Sequence, residues 1–192
     1  MLISYRACAL LLLPWLAACS GGESNKDPIF QAKFQNEKRI GEEDVTQRQI
    51  KDAEFVVETA SRQMQLLEIS QIAQRKAASA DVRYAAQNVI NQTNGLLSNL
   101  KTLAQQKNLT LPTGLGESQA EQVGELTALN GTPFDRKYDE LLARLIDQDS
   151  DQNEDMAQEA YDADIRQAAA RQLAVLQDLN RASEALHEKI NP

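Results

Sequence analysis

Cys19 is the residue whose type and setting most directly indicate chemistry. It follows two alanines at the end of an apolar run that begins at Ala7, and Arg6 precedes that run. A charged start, an apolar stretch and small residues before a cleavage point are the parts of an export signal, and a cysteine just after that point accepts diacylglycerol in bacterial lipoproteins. The sequence therefore predicts a signal peptide over residues 1–18 and a mature chain that begins at lipidated Cys19. Ordinary cleavage after one of the two alanines is the alternative.

The lipid would make a membrane the first partner of this chain. The apolar run to Ala18 holds 12 residues and includes Pro14, against about 20 needed to span a bilayer, so we do not expect a transmembrane helix. Two or three acyl chains anchor a protein stably. We expect a lipid-anchored domain at the periplasmic face of the cell envelope. Ser20 after the cysteine, rather than aspartate, favours the outer membrane by the sorting rule for lipoproteins.

The composition disfavours some partners and some chemistry. With 28 acidic against 20 basic residues the chain is net negative, so we expect no nucleic acid partner. Of its two cysteines, Cys8 leaves with the signal peptide and Cys19 carries lipid, so no thiol nucleophile or disulfide remains. No Gly-x-Ser-x-Gly motif is present either. We predict no catalytic residue, although the abundant carboxylates leave a paired-carboxylate hydrolase open.

The histidine content bears on metal binding. A dinuclear metal site in a helical bundle needs two Glu-x-x-His motifs together with two further carboxylates. The chain has one histidine, His187, in one such motif that begins at Glu184. The sequence therefore predicts no metal and no cofactor, and it places His187 in a solvated last turn at the negative end of a helix.

The acidic segment 147–164 is the remaining candidate for binding. It contains no lysine or arginine, so its local potential is strongly negative. Its start resembles a calcium-binding loop, but glutamines stand where the turn glycine and the bidentate glutamate are needed, so it is not an EF-hand. The patch that we single out, for a cation or a basic partner, consists of Asp147, Asp149, Asp151, Glu154 and Asp155.

The helical register creates a conflict inside this patch. Continuing the register from the apolar residues before the patch places Asp149 and Asn153 on the inward face. Because an unpaired buried carboxylate is costly, either the helix frays or kinks outward, or a polar layer that includes Gln92 and Gln172 receives Asp149. Fraying over residues 147–155 is the interpretation that we prefer.

Helices must position these residues, because the long amphipathic patterns of the chain have a helical period. A flexible tether over 20–26 leads to a short helix over 27–40, capped by Asp27. That helix either packs against the bundle, which we favour, or lies on the lipid surface. Four long helices follow. They are predicted from Thr46 to 78, from Ser79 or Asp81 to the loop 108–116, from Thr132 onward, and from Asp162 or Asp164 to the C-terminus, with a short helix from Ser118 to Leu129 inside the crossover.

Three stretches resemble an exported bacterial family, DUF4142, whose members are ferritin-like helical bundles often found in lipoproteins. They are residues 53–60 (Ala-Glu-Phe-Val-Val-Glu-Thr-Ala), 109–113 (Leu-Thr-Leu-Pro-Thr) and 131–138 (Gly-Thr-Pro-Phe-Asp-Arg-Lys-Tyr). The resemblance covers Asp52 to Leu186. Together with the helical pattern it predicts an all-α, ferritin-like four-helix bundle with a long crossover that contains a short helix, plus the short N-terminal helix. The family has no established reaction.

The family pattern also implies histidines at three positions and a carboxylate at a fourth, all of which differ in this chain. Aligning the matching stretches without gaps puts the histidines at Gln92, Ile146 and Leu179, and the carboxylate near Leu66. A metal or proton role that depended on those side chains would be lost here.

We therefore expect three regions. They are a signal peptide over 1–18, a lipidated N-terminus with tether and short helix over 19–45, and the bundle over 46–190. The leading functional hypothesis is a non-catalytic envelope module that is structural or engages another envelope protein. A ferritin-like protein that binds a metal ion or small cation is the alternative, and it rests on fold analogy.

Overall fold

Six α-helices and no β-strand make up the part of the chain that the computed structural model describes, residues 27–42 and 47–191. The predicted all-α fold class is therefore confirmed. The predicted signal peptide 1–18, Cys19, the tether 20–26 and Thr46 lie outside the described residues. The helices are α1 (Pro28–Glu42), α2 (Gln47–Lys76), α3 (Ala80–Gln106), α4 (Glu117–Ala128), α5 (Gly131–Glu159) and α6 (Ala163–Ile190). None of these helices is both long enough and apolar enough to cross a membrane.

The four long helices pack as two antiparallel hairpins. α2 and α3 form the first hairpin and α5 and α6 the second, because the short turns 77–79 and 160–162 join the helices of each pair. α2 also packs on α5, and α3 packs on α6, which closes the bundle. The long connection between the hairpins, residues 107–130, contains α4, which packs against α2 and α5. This is the predicted four-helix bundle with its crossover.

Two apolar clusters fill the bundle, one on each side of a band of buried polar residues. The larger cluster includes Leu66, Ile146 and Leu179, and the smaller one includes Phe55 and Ile165. Between the clusters, α2, α5 and α6 contribute buried polar side chains and one partly buried arginine. We call this group the central polar layer, and its members are Arg62, Gln63, Asp149, Asn153 and Gln172.

The short helix α1 packs against the bundle, as we favoured. Its buried face carries Ala32 and Asn36, and the Asn36 amide forms two hydrogen bonds with the backbone of Thr110, at 2.7 and 2.9 Å. Asp27 caps the helix by accepting from the Ile29 N–H at 2.9 Å, and its second oxygen accepts from the Glu117 N–H at 2.7 Å. The crossover therefore holds α1 at its N-terminal cap and at its middle.

Local capping was predicted correctly at two of the long helices and wrongly at two other helices. Ser79 caps α3 and Asp162 caps α6, each by accepting hydrogen bonds from the first turn. α5, in contrast, begins at Gly131, whose φ of 61° lies in the left-handed region that favours glycine, so Thr132 is not its cap. α4 begins after Gly116 rather than Ser118, because the Gly116 N–H donates to the side chain of Gln119 at 3.0 Å.

Candidate functional site

Residues 147–155 of the acidic segment are helical throughout. α5 continues past them to Glu159, and the side chains of Asp149 and Asn153 are fully buried. The prediction of fraying or an outward kink over 147–155 was therefore wrong. The physical reason lies on α2, where Arg62 donates from Nε to Asp149 Oδ1 at 3.0 Å. This ion pair offsets part of the cost of burying the carboxylate, so the helix stays closed over Asp149.

Glutamine side chains complete the central polar layer. Gln63 on α2 donates from Nε2 to Gln172 on α6 and lies 3.5 Å from Asp149 Oδ2. The alternative to fraying, a polar layer, is therefore the one that the structure shows, with Gln172 as a member but without Gln92. Gln92 lies half-buried on α3 and donates to Asn88 of the same helix at 3.0 Å.

The positive charge in the central polar layer is the guanidinium of Arg62, which pairs with Asp149. Burial raises the pKa of Asp149, and the charge and hydrogen bond of Arg62 offset part of this rise. Arg62 also donates to Gln152, and Gln152 donates to Glu58 at 3.1 Å, so hydrogen bonds run from the layer to the surface. Among residues 27–42 and 47–191, no three His, Cys, Asp or Glu side chains are grouped so that they could hold a metal ion. The Arg62 guanidinium pairs with one of the two carboxylate oxygens of Asp149.

The other four members of the predicted patch lie on the outside of α5. Their spacing of four, three and one residues puts them on one face of the helix, and we call them the acidic stripe: Asp147, Asp151, Glu154 and Asp155. All four are exposed, and within the described part of the chain none forms an ion pair. The structure thus divides the predicted patch into one buried, paired carboxylate and four solvent-facing ones.

His187 has a partner that its position in the last turn did not indicate. Its side chain is 66% exposed, as predicted, but Nδ1 lies 2.6 Å from Oδ2 of the buried Asp139 on α5. The nearby Glu184 accepts a hydrogen bond from Asn180 at 3.2 Å instead of approaching the imidazole. The Glu-x-x-His spacing therefore does not bring these two side chains together.

The Phe-Asp-Arg-Lys-Tyr stretch of α5 makes structural contacts. Phe134 and Tyr138 are fully buried, and the Tyr138 hydroxyl lies 3.1 Å from the Ser70 hydroxyl. Asp135 accepts from the backbone N–H groups of Ala78 at 3.0 Å and Ser79 at 2.8 Å. Its carboxylate therefore fixes the turn of the opposite hairpin.

A second aspartate does the same at the other end of the bundle. Asp52 on α2 accepts from the backbone N–H groups of Tyr161 at 3.0 Å and Asp162 at 2.7 Å. In each turn an arginine of the following helix, Arg83 or Arg166, donates to the carbonyls that precede the cap. The two hairpins thus clamp each other's turns with the same chemistry.

Sequence reasoning missed this pair of clamps, although the sequence contains a signal for it. The stretches Ala80-Asp81-Val82-Arg83 and Ala163-Asp164-Ile165-Arg166 are nearly identical, and the residue before each is the cap of its helix. The same offset relates the two clamping aspartates, Asp52 and Asp135. Comparing the chain with itself would therefore have revealed an internal repeat and its structural aspartates.

A cleft of about 400 Å³ opens beside the turn 160–162. Asp52, Lys107 and Asp162 line it, and Lys107 Nζ pairs with Asp162 at 2.6 Å and with Asp164 at 2.7 Å. Because both oxygens of Asp52 accept backbone hydrogen bonds, these charged groups are already engaged in holding the turn.

A comparison with protein families gives a match over residues 39–186 to a domain of unknown function, DUF4142. The chain belongs to the DUF4142 family. No curated protein and no solved structure matches it significantly. In this DUF4142 member, three of the positions at which the family resemblance implies histidine or carboxylate, Leu66, Ile146 and Leu179, are fully buried in the larger apolar cluster. Those positions form hydrophobic core, and the central polar layer lies beside this cluster.

Proposed function

We propose that this DUF4142 protein is a non-catalytic lipoprotein of the cell envelope, anchored through Cys19 at the periplasmic face of the outer membrane, and that it acts as an interaction module. The observation that carries the proposal is the acidic stripe, a row of exposed carboxylates that form no ion pair among the described residues. The bundle interior supports the same proposal, because the charges of Arg62 and Asp149 in the central polar layer pair with each other.

The stripe has the properties of a docking surface for a basic partner. Asp147 and Asp155 are eight residues apart, which corresponds to about 12 Å along a helix. Like charges in such a row repel one another, and a basic partner relieves that repulsion and is attracted over long range. The hydrogen bond to Glu159 and, to a smaller degree, the charge of Asp155 raise the pKa of the neighbouring Lys51, as expected beside a negative surface. We infer that the partner is an envelope protein with a basic surface.

Replacing Cys19 with serine tests the anchor. We expect the full chain, expressed with its leader, to incorporate a clickable palmitate analogue and to give an intact mass that corresponds to a lipidated start at Cys19. The C19S variant should lose the label completely, because serine offers no thiol for the thioether. C8S is the matched control and should be labelled like the wild type. An unlabelled wild-type chain would contradict the anchor.

Neutralising the stripe tests the docking surface. A photo-crosslinking residue at the exposed Gln158, which lies on the same face of α5, should give a discrete adduct with another envelope protein in intact cells. Exposed ion pairs contribute about 0.2–1 kcal/mol each. The variant with Asp147→Asn, Asp151→Asn, Glu154→Gln and Asp155→Asn should therefore lower the adduct yield roughly tenfold.

The matched control removes the same charge from other exposed carboxylates. It carries glutamine in place of Glu68, Glu121, Glu125 and Glu188, and it should retain the adduct. Equal loss of the adduct in both variants would contradict a specific surface.

The melting temperature of the protein, measured with chelator and then with calcium, zinc, iron, manganese or copper, tests the alternative of a cation site. A rise of several degrees with one ion, absent in the stripe variant, would replace the interaction module by a cation-binding protein.

A further inference from the structure

The outer face of α1 exposes an aromatic pair. Phe30 and Phe34 are 58% and 57% exposed, and their rings are stacked with centroids 6.2 Å apart. They are one turn apart and point away from Ala32 and Asn36, which are buried against the bundle. The two large side chains form an exposed apolar patch on one face of the helix, and apolar patches of this kind occur at contact surfaces.

The position of this pair along the chain indicates what it contacts. α1 starts at Pro28, and the seven residues 20–26 that separate Cys19 from the cap Asp27 can span at most about 25 Å. A lipid at Cys19 would therefore keep α1 close to the bilayer. The hydrogen bonds of Asp27 to Glu117 and of Asn36 to Thr110 fix α1 on the bundle, so the direction of its outer face is set before any contact forms.

We propose that the outer face of α1 docks on the membrane that holds the lipid at Cys19, with the rings of Phe30 and Phe34 at the level of the headgroups. This inference rests on the proposed anchor. The exposed Lys38 lies one turn after Phe34 on the same face and can extend its ammonium to lipid phosphates. An amphipathic helix that lies in the interface combines apolar insertion with such electrostatic contacts.

The size of the surface favours a membrane over a second protein chain. A phenylalanine buries at most about 150–250 Å², so the pair falls well below the roughly 1,200–2,000 Å² of a specific protein interface. A membrane contact needs less area, because the lipid anchor already supplies a high local concentration of bilayer. The expected consequence is a fixed orientation of the bundle on the membrane.

Tryptophan probes measure this contact. Trp15, in the predicted signal peptide, is the one tryptophan of the chain, so Phe30→Trp and Phe34→Trp each introduce a single reporter into the lipidated protein. In vesicles of phosphatidylethanolamine and phosphatidylglycerol with brominated acyl chains, we expect both emissions to fall at least twofold relative to unbrominated vesicles. Tyr84→Trp is the matched control, because Tyr84 is 81% exposed at the start of α3, and its emission should not change.

A second experiment distinguishes an error in the proposed anchor from an error in the proposed docking. The chain from Cys19 onward contains every described helix and a single thiol, so coupling that thiol to a maleimide lipid supplies the anchor chemically. Quenching of both probes there, with no native lipid at Cys19, would overturn the anchor and retain the docking. If brominated lipid quenches Phe30→Trp and Phe34→Trp no more than the Tyr84→Trp control, the docking would be overturned. A change of Phe30→Trp emission with protein concentration in the absence of vesicles would show instead that a second copy covers the pair.

Discussion

Replacing Arg62 with methionine is expected to lower the free energy of unfolding by about 3–5 kcal/mol, the usual cost of removing one partner of a buried ion pair. Asp149 is fully buried, and among the described residues Arg62 is its one ion-pair partner. Without the guanidinium, Asp149 must be buried as an uncompensated charge or take up a proton. Urea denaturation of the wild type and the variant at pH 7 measures the difference.

The stability lost in Arg62→Met should be recovered when Asp149 is replaced as well. The double variant Arg62→Met, Asp149→Leu should return to within about 1 kcal/mol of the wild type, because apolar replacement of a whole buried pair is often neutral. Leu66, which holds the equivalent position in the first half of the internal repeat, shows that a buried leucine fits such a site. Asp149→Leu alone should cost less than Arg62→Met, because Arg62 keeps its contact with Gln152 and is 12% exposed. A loss below about 1 kcal/mol in Arg62→Met would show that the ion pair does not stabilise the bundle.

The pH dependence of the same site has a definite sign. Burial raises the pKa of Asp149 above its ordinary value of 3.8. A carboxyl group whose pKa is raised in the folded state stabilises the protein below its unfolded pKa, and this contribution is lost as the pH rises through the folded pKa. The free energy of unfolding of the wild type should therefore decrease relative to that of Asp149→Asn as the pH increases above 3.8. A difference that is constant with pH would contradict the raised pKa.

Replacing either clamping aspartate with alanine is expected to cost about 2–3 kcal/mol, because two backbone N–H groups lose a charged acceptor. Asp135 and Asp52 are both buried, and each accepts two hydrogen bonds from the opposite hairpin. Asp135→Asn and Asp52→Asn should each cost about half as much, since an amide offers one acceptor oxygen. Thermal and urea unfolding measure each variant.

The control for the clamps is an exposed aspartate that pairs only on the surface. Asp178 pairs with Arg181 three residues away in α6, and Asp178→Ala should change stability by less than about 0.5 kcal/mol. The double variant of Asp52 and Asp135 should lose the sum of the single effects, because the clamps lie at opposite ends of the bundle. A double variant no less stable than one single variant would show that the two turns unfold together as one unit.

These contacts explain the most recognisable stretch of the family resemblance. In the Phe-Asp-Arg-Lys-Tyr stretch, Phe134 and Tyr138 form core and Asp135 fixes the turn 77–79. The stretch is therefore required by the connection between the hairpins. Searching such a motif for catalytic side chains would mistake a structural clamp for an active site.

Local signals in the sequence were sufficient to predict the helices of this fold. Helical periodicity, the caps Asp27, Ser79 and Asp162, and the loop 108–116 predicted the helices and their order, because each of these signals acts over a few neighbouring residues. The cap of α5 was predicted wrongly because a glycine with positive φ and a following threonine give competing local signals for one helix start.

The contacts of the buried polar residues, in contrast, depend on how the helices pack. The helical register placed Asp149 on the inward face, but its partner Arg62 lies 87 residues earlier in the chain, and no local pattern relates the two. The same holds for Asp135 and the turn at Ser79, 56 residues apart. Whether a buried carboxylate is tolerated depends on which donor a neighbouring helix brings within about 3 Å of it, and that is a property of packing. For this reason the sequence predicted a frayed helix where the folded bundle has a continuous one.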